Sequence, residues 1–313
     1  MRLQPIFLPF LLLPLLAGTC AQEDTIDPNA PGTVEFEITD APILDDDIRA
    51  VYVTVAGVQV GEQRTDGGKV TLDLLDLQDG NTFALGSLDL DPGSYERIEL
   101  VLDYETTSGG ESPGCYVETT DGTRHELTAI VDNLRILQDG FDLSAGELRR
   151  FVVDFDVRKA VIRQLNNPDD CYDFGTTFDL RDALRHVEKS EAATLTGTLA
   201  ANGFADAKTV VYAYRSGKFD FDEETEPQPG STVRFAQAVT SAPVRSDGSF
   251  SLHFLPADSY ELHFFTYRED ADQPGQYELS GQLEAPATEV RGLQLTPRQM
   301  RNVTVGATGV IPL

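Results

Sequence analysis

The stretch KFDFDEETEP places Asp220, Asp222, Glu224 and Glu226 at every second position, so an extended backbone would present four carboxylates on one side. Hard oxygen ligands in that arrangement suit calcium, the only cofactor the sequence suggests. An EF-hand loop needs glycine at its sixth position, where Thr225 stands, so any calcium geometry would differ from that loop. A second acidic run, Asp45, Asp46 and Asp47, lies in ILDDDI. For both runs a solvated acidic loop is the preferred reading, with calcium as the alternative. The histidines are dispersed as His125, His186, His253 and His263. His253 and His263 are nearly equidistant from the turn that follows Pro256 and would make half a metal site if they met. No HExxH, GxSxG, P-loop or dinucleotide fingerprint occurs, so the sequence nominates no catalytic residue and reads as a non-enzyme. Carboxylates this numerous match a glycosidase spacing by chance, which leaves a hydrolase with an unrecognised site as the remotest alternative.

Sugar recognition would call on exposed aromatic rings. The chain has no Trp and ten Tyr, of which Tyr212, Tyr214, Tyr267 and Tyr277 are the stacking candidates. The same four also suit strand packing in a sandwich core.

Cysteine chemistry points out of the cytoplasm. After Met1-Arg2, the apolar run from Ile6 to Ala17 is shorter than the roughly 20 residues needed to span a bilayer and contains two prolines, which is the pattern of a secretory signal. LLAGTCAQED then resembles a bacterial lipobox, in which Cys20 is acylated and anchors the chain to the membrane. Thr19 stands where Gly or Ala is usual, and ordinary cleavage after Ala21 is the alternative. On either branch Cys115 and Cys171 remain, and an exported chain with two thiols is expected to pair them. A bridge closing so long a loop would stabilise the fold by on the order of 4 kcal/mol. The expected location is the bacterial outer membrane or cell surface, with a periplasmic or secreted soluble form as the alternative. A net charge of -28 repels phosphate backbones and sets nucleic acid aside as a partner.

The elements that must position these groups are strands. At 313 residues the chain can build two cores. In TVEFEITDAP, Val34, Phe36 and Ile38 alternate with Glu35 and Glu37. IRAVYVTVAGVQVG follows, with Gly57 as an expected bulge. LDLDPGSYERIELVLDY reads as strand, turn and strand, with Gly93 supplying the positive φ of a type II turn. In GELRRFVVDFDVRKAV, Phe151, Val153 and Phe155 form one row, with Val152, Asp154 and Asp156 on the other face, and Arg158 to Leu165 are expected as a short helix. TTFDLRDALRHV is expected to be extended at least in its first half. SFSLHFLPADSYELHFFTY repeats the Pro92 device around Pro256, which suggests two β-domains of related design, joined at the polar EKSEA from Glu188 to Ala192.

ITDAP at Ile38 to Pro42, the valine-rich second strand, LLDL at Leu74 to Leu77, LDPGSYERIEL and VVDFDVRKAV at Val152 to Val161 together resemble the bacterial domain of unknown function 4382, over about Thr33 to Val187. The resemblance implies an exported, β-rich lipoprotein and supplies no active-site residue. The second half is similar to carboxypeptidase-regulatory-like, transthyretin-like sandwiches through DGSFSLHFLPADSYELHF, although Asp258 replaces the more usual glycine of that turn. That superfamily includes modules with a carbohydrate-binding-like fold. The expectation is therefore an all-β protein of two Ig-like or transthyretin-like β-sandwich domains in tandem, with at most short helices. Its expected divisions are a signal at 1–19, an acidic linker at 20–32, and sandwiches at 33–190 and 191–313. The function expected is a surface binding or structural module of the cell envelope with a glycan or envelope protein as partner; a carbohydrate-binding accessory module, calcium-assisted or not, is the alternative.

Overall fold

The computed structural model describes residues 27–129, 133–136, 140–164, 171–200, 208–228, 231–271 and 275–313. The expected signal, Cys20 and most of the expected acidic linker lie outside the described residues.

Alternation builds the first strand, Gly32–Ala41. Val34, Phe36 and Ile38 are buried, while Glu35 and Glu37 point outward and meet Arg150 and Lys189. This strand lies between Phe83–Leu90, antiparallel, and Leu148–Asp156, parallel; Leu184–Glu188 completes the four-stranded sheet. The facing sheet is organised on Ile48–Val60, which pairs with Ile98–Leu102 and Tyr116–Thr119. Gly57 takes φ 147° where the register shifts, as expected of a bulge. One core, from Val34 to Leu184, fills the space between the sheets. At its centre Phe151 stacks on Phe36 at 6.0 Å and tilts against Phe141 at 4.9 Å. Burial of each such ring contributes about 2–3 kcal/mol.

The second half repeats the plan. Ala193–Ala200 lies between Ser249–Leu255, antiparallel, and Met300–Gly306, parallel. Opposite, Lys208–Arg215 pairs with Thr240–Pro243 and Ser259–Glu269, and Tyr277–Glu284 and Gly309–Pro312 extend that sheet. The alternation within Lys208–Arg215 divides the apolar residues between two clusters. Val211 and Ala213 face the sandwich interior, while Val210, Tyr212 and Tyr214 face outward beside Phe235 and Phe265. The fold is an all-β sandwich architecture with short helices, among them Val157–Ala160, Thr177–Asp182 and Phe221–Thr225.

Both proline devices carry the chain from one sheet to the other. Phe83–Leu90 and Ile98–Leu102 belong to opposed sheets, as do Ser249–Leu255 and Ser259–Glu269. Neither is a hairpin, and Gly93 opens a short strand, Gly93–Tyr95, without positive φ. A tyrosine closes each crossover by the same bond: Tyr95 Oη donates to the Asp91 carbonyl at 2.7 Å, and Tyr260 Oη donates to the Pro256 carbonyl at 2.8 Å. Ser94-Tyr95 pair with Asp142 and Phe141, and Ser259-Tyr260 pair with Gln294 and Leu293.

Two local expectations change. TTFDLRDALRHV starts as a helix, because Thr176 and Asp179 cap each other's backbone, and becomes a strand only from Leu184. The expected helix from Arg158 shrinks to the turn Val157–Ala160, after which Val161–Arg163 pairs with Tyr172–Phe174.

Candidate functional site

The residues of ITDAP and VVDFDVRKAV converge where the two sandwiches meet. From Phe151 to Asp156 both faces of the strand Leu148–Asp156 are buried: Phe151, Val153 and Phe155 enter the first core, and Asp154 and Asp156, expected on the outer face, are covered by the second half. Each acid has a cation beside it. Arg185 binds Asp154, and Arg158 Nη2 donates to Asp156 at 2.7 Å. Asp40 accepts the Val157 amide at 3.0 Å, which ties the first strand to the start of the Val157–Ala160 turn. Burial pushes the Asp40 carboxyl well above its ordinary range and Lys159 down to about 8.

The same cations grip the second half by its backbone. Arg158 Nη1 donates to the carbonyls of Arg234 and Phe235 at 3.1 and 2.9 Å, Lys159 Nζ to Ala238 at 2.9 Å, and Arg185 Nη1 to Phe254 at 2.7 Å. Phe235 and Phe254 both sit in the left-handed region, at φ 55° and 51°. Bulky residues rarely go there, at a cost of about 1–3 kcal/mol each unless the surroundings enforce it. Here an arginine from the first half holds each carbonyl in place.

Beside this grip lies a cleft of about 170 Å3 between the halves. Ile43 and Leu44 from the loop after the first strand form its wall with Val161, Val210 and Val233. Its polar groups are Thr232, two guanidinium ions and two phenols. Arg158 lies over the Tyr212 ring at 5.4 Å, and the Tyr212 and Tyr267 hydroxyls share one hydrogen bond of 2.6 Å. Burial raises Tyr212 to about 12 and moves Tyr267 in the same direction, so both keep their protons at neutral pH. A second, smaller void of about 40 Å3 is lined by Asp154 and Ser241 among others.

A family model for a domain of unknown function, DUF4382, matches residues 31–191, more than half of the 313-residue chain. The chain belongs to the DUF4382 family. No curated protein matches it. Among solved structures, the Bacillus anthracis TIE protein is 11% identical with a TM-score of 0.20, and the match covers 89% of this chain and 35% of that one. The chain thus spans about a third of the TIE protein's length. BcpA, the major pilin subunit of Bacillus cereus, is 10% identical at TM-score 0.22, covering 90% of this chain and 71% of that one. A candidate carbohydrate binding protein from Pseudomonas aeruginosa is 11% identical at TM-score 0.20, covering 38% of this chain and 91% of that one. Likeness at that level carries no inference about ligand or partner.

In this DUF4382 member the groups singled out by sequence are dispersed. Asp220, Asp222, Glu224 and Glu226 do not form an extended row, because Asp220 accepts the Asp222 and Glu223 amides and starts the helical turn Phe221–Thr225. Glu224 turns inward, fully buried, and accepts the Tyr214 hydroxyl at 2.8 Å, while Asp222 and Glu226 stay exposed. Asp45 and Asp47 share Arg163, Asp45 also accepting the Tyr172 hydroxyl, while Asp46 turns to Lys208. Among the described residues no group of three or more His, Cys, Asp or Glu is placed to hold a metal ion. His253 and His263 lie in opposed sheets, His253 against Gly80 of the first half and His263 stacked on Phe219 at 3.7 Å.

The expected disulfide is corrected as well. Cys115 and Cys171 are both thiols, because each sulfur lies against a different neighbour: Cys115 Sγ donates to the Asp103 carbonyl at 3.6 Å, and Cys171 Sγ lies 4.0 Å from His125 Nε2. Of the four tyrosines, Tyr214 is buried and the other three lie at or near the seam. Phe235 covers Tyr212 at 4.1 Å, and Lys208 Nζ sits 3.9 Å over Tyr277, whose hydroxyl donates to Asp46. Only Tyr212 and Tyr267 reach the cleft. Sequence reasoning missed Arg158, Arg234, Phe235 and Leu44. The available signal was the pair of carboxylates in VVDFDVRKAV next to two cations, a combination unusual for a solvated strand face.

Proposed function

We propose that this chain is an envelope-anchored binding protein without catalytic activity, and that the cleft at the seam is its ligand site. The observation that carries this reading is the cleft's lining: an apolar wall with a few fixed polar groups, placed between two domains where binding sites concentrate. Among the described residues its ionisable groups are guanidinium ions and neutral phenols, with no carboxylate, imidazole or thiol, so none of those lining groups can take a proton from a substrate at neutral pH. The second sandwich, assigned to the carboxypeptidase-regulatory-like kind on its crossover sequence, supplies Val210 and Val233 of the wall and the polar groups of Thr232, Arg234, Tyr212 and Tyr267. Acylation at Cys20 would place the molecule on the envelope. The sugar-platform reading loses support because the Tyr212 and Tyr277 rings already carry Phe235 and Lys208.

Ligand-detected NMR with a fragment library on the full chain tests the site. Fragments that bind wild type and lose their signal in Thr232→Trp, which blocks the exposed rim without entering the core, support the reading; hits unaffected by that change, or a library without hits, overturn it. Palmitate labelling of wild type and Cys20→Ser with cell fractionation tests the anchor. Equal labelling of the two would remove it.

A further inference from the structure

Taking the cleft as the ligand site, we propose that it accepts a small carboxylic acid with a single apolar or aromatic ring, the carboxylate on Arg234 and the ring against the aliphatic wall. The two guanidinium ions of the cleft differ in what they already hold. Arg158 is engaged at both terminal nitrogens: Nη1 serves two carbonyls, Nη2 serves Asp156, its group lies over Tyr212, and its unpartnered Nε is buried away from solvent. Arg234 is held only at Nε, which donates to the Thr225 carbonyl at 2.9 Å, and among the described residues its Nη atoms make no ion pair and no hydrogen bond. It is exposed at the rim, its charge uncompensated on a chain of net charge -28. A guanidinium fixed at one end with its fork open matches a planar carboxylate.

The rest of the cleft sets the remainder of the ligand. Two tyrosine hydroxyls share one hydrogen bond, so one of their two hydrogens remains for an acceptor on the ligand. A volume of about 170 Å3 is close to the roughly 150 Å3 cavity that accommodates benzene. A sugar ring of that size would bring hydroxyls against Ile43, Leu44, Val161 and Val210, where they would lose water without finding partners.

Isothermal titration of the full chain with benzoate, cyclohexanecarboxylate, benzamide and glucuronate separates these outcomes. The expected result is saturable binding of both ring carboxylates, about tenfold tighter than benzamide, with glucuronate weaker than benzoate. Arg234→Gln, an exposed change checked by an unaltered melting temperature, is expected to weaken benzoate about tenfold and leave benzamide unchanged, and Arg234→Lys to restore part of the difference. If benzoate and benzamide bind alike, or Arg234→Gln changes neither, the carboxylate assignment is wrong, while the site stands if Thr232→Trp still abolishes binding. Tighter binding of glucuronate than benzoate overturns the apolar ring. Binding that Thr232→Trp leaves untouched overturns both the ligand class and the site.

Discussion

The two halves of the molecule share a scaffold and differ where they touch. In each, the opening strand lies between an antiparallel and a parallel neighbour, and a tyrosine closes the crossover between sheets with a bond to the carbonyl four residues back. The parallel ladders start alike, at Thr33 with Leu148 and at Thr194 with Met300, but the first continues to Ala41 with Asp156 while the second stops at Ala200 with Gly306. That extension carries Asp40 and Asp156 and leads into Arg158 and Lys159. The first half therefore presents charged side chains at the seam, and the second answers with the backbone carbonyls of Arg234, Phe235, Ala238 and Phe254. A common sandwich gives stability to both; the residues added beyond it make the seam and the cleft.

The asymmetry can be broken most directly at Arg158. Arg158→Ala leaves Asp156 without its closest cation and releases two carbonyls, and is expected to destabilise the docked protein by about 3–5 kcal/mol, read as a lower urea midpoint and earlier proteolysis near Glu188 to Ala192. No loss would mean that the seam is not held by this grip. Asp40 supplies a pH signature. Its folded pKa lies above the unfolded value, so its contribution is fully present below about pH 3.8 and is lost as pH rises through the folded pKa. Asp40→Asn should lack that loss, so the stability difference between variant and wild type is expected to shift in favour of the variant between pH 4 and 7, by up to about 1.4 kcal/mol per pH unit. Lys159, at about 8, remains mostly charged over that window, and histidine titration is common to both proteins.

The shared part is tested by paired substitutions. Tyr260→Phe should cost about 1–2 kcal/mol and Tyr95→Phe about 0.5–1 kcal/mol, because Tyr260 is fully buried and Tyr95 is not. Urea midpoints measure both, and a zero effect in either would show that the repeated bond is not structural. The smallest effect is expected at the rim, where Lys208→Met removes a half-exposed pair with Asp46 and the contact over Tyr277: about 0.2–1 kcal/mol, diminished by salt.

Much of the scaffold was legible because strands announce themselves locally. Val34, Phe36 and Ile38 alternate and are buried, and Gly57 bulges. The repeated Ser-Tyr-Glu after a proline marked two domains of one design. Where local reading failed, a stronger local device or a distant partner had intervened. Asp220 capped a helical turn inside a segment read as an acidic loop, and the Thr176–Asp179 pair capped a helix inside one read as extended. Cys115 and Cys171 satisfied the parity expected of a disulfide, yet tertiary packing gave each a different neighbour. The cleft was hidden because its parts come from residues as far apart as Ile43, Arg158, Arg234 and Tyr267.

By itself the sequence determined the β-rich character, the two-fold plan and the residues that fill each core, since burial in a strand depends on a period of two that neighbouring residues already display. Tertiary structure alone decided which outward faces would be covered, that Phe235 and Phe254 would take left-handed backbone, and which of the chain's cations would remain open to a ligand. Those outcomes depend on how one sandwich docks on the other, and a contact between residues some eighty positions apart leaves no periodic trace along the chain.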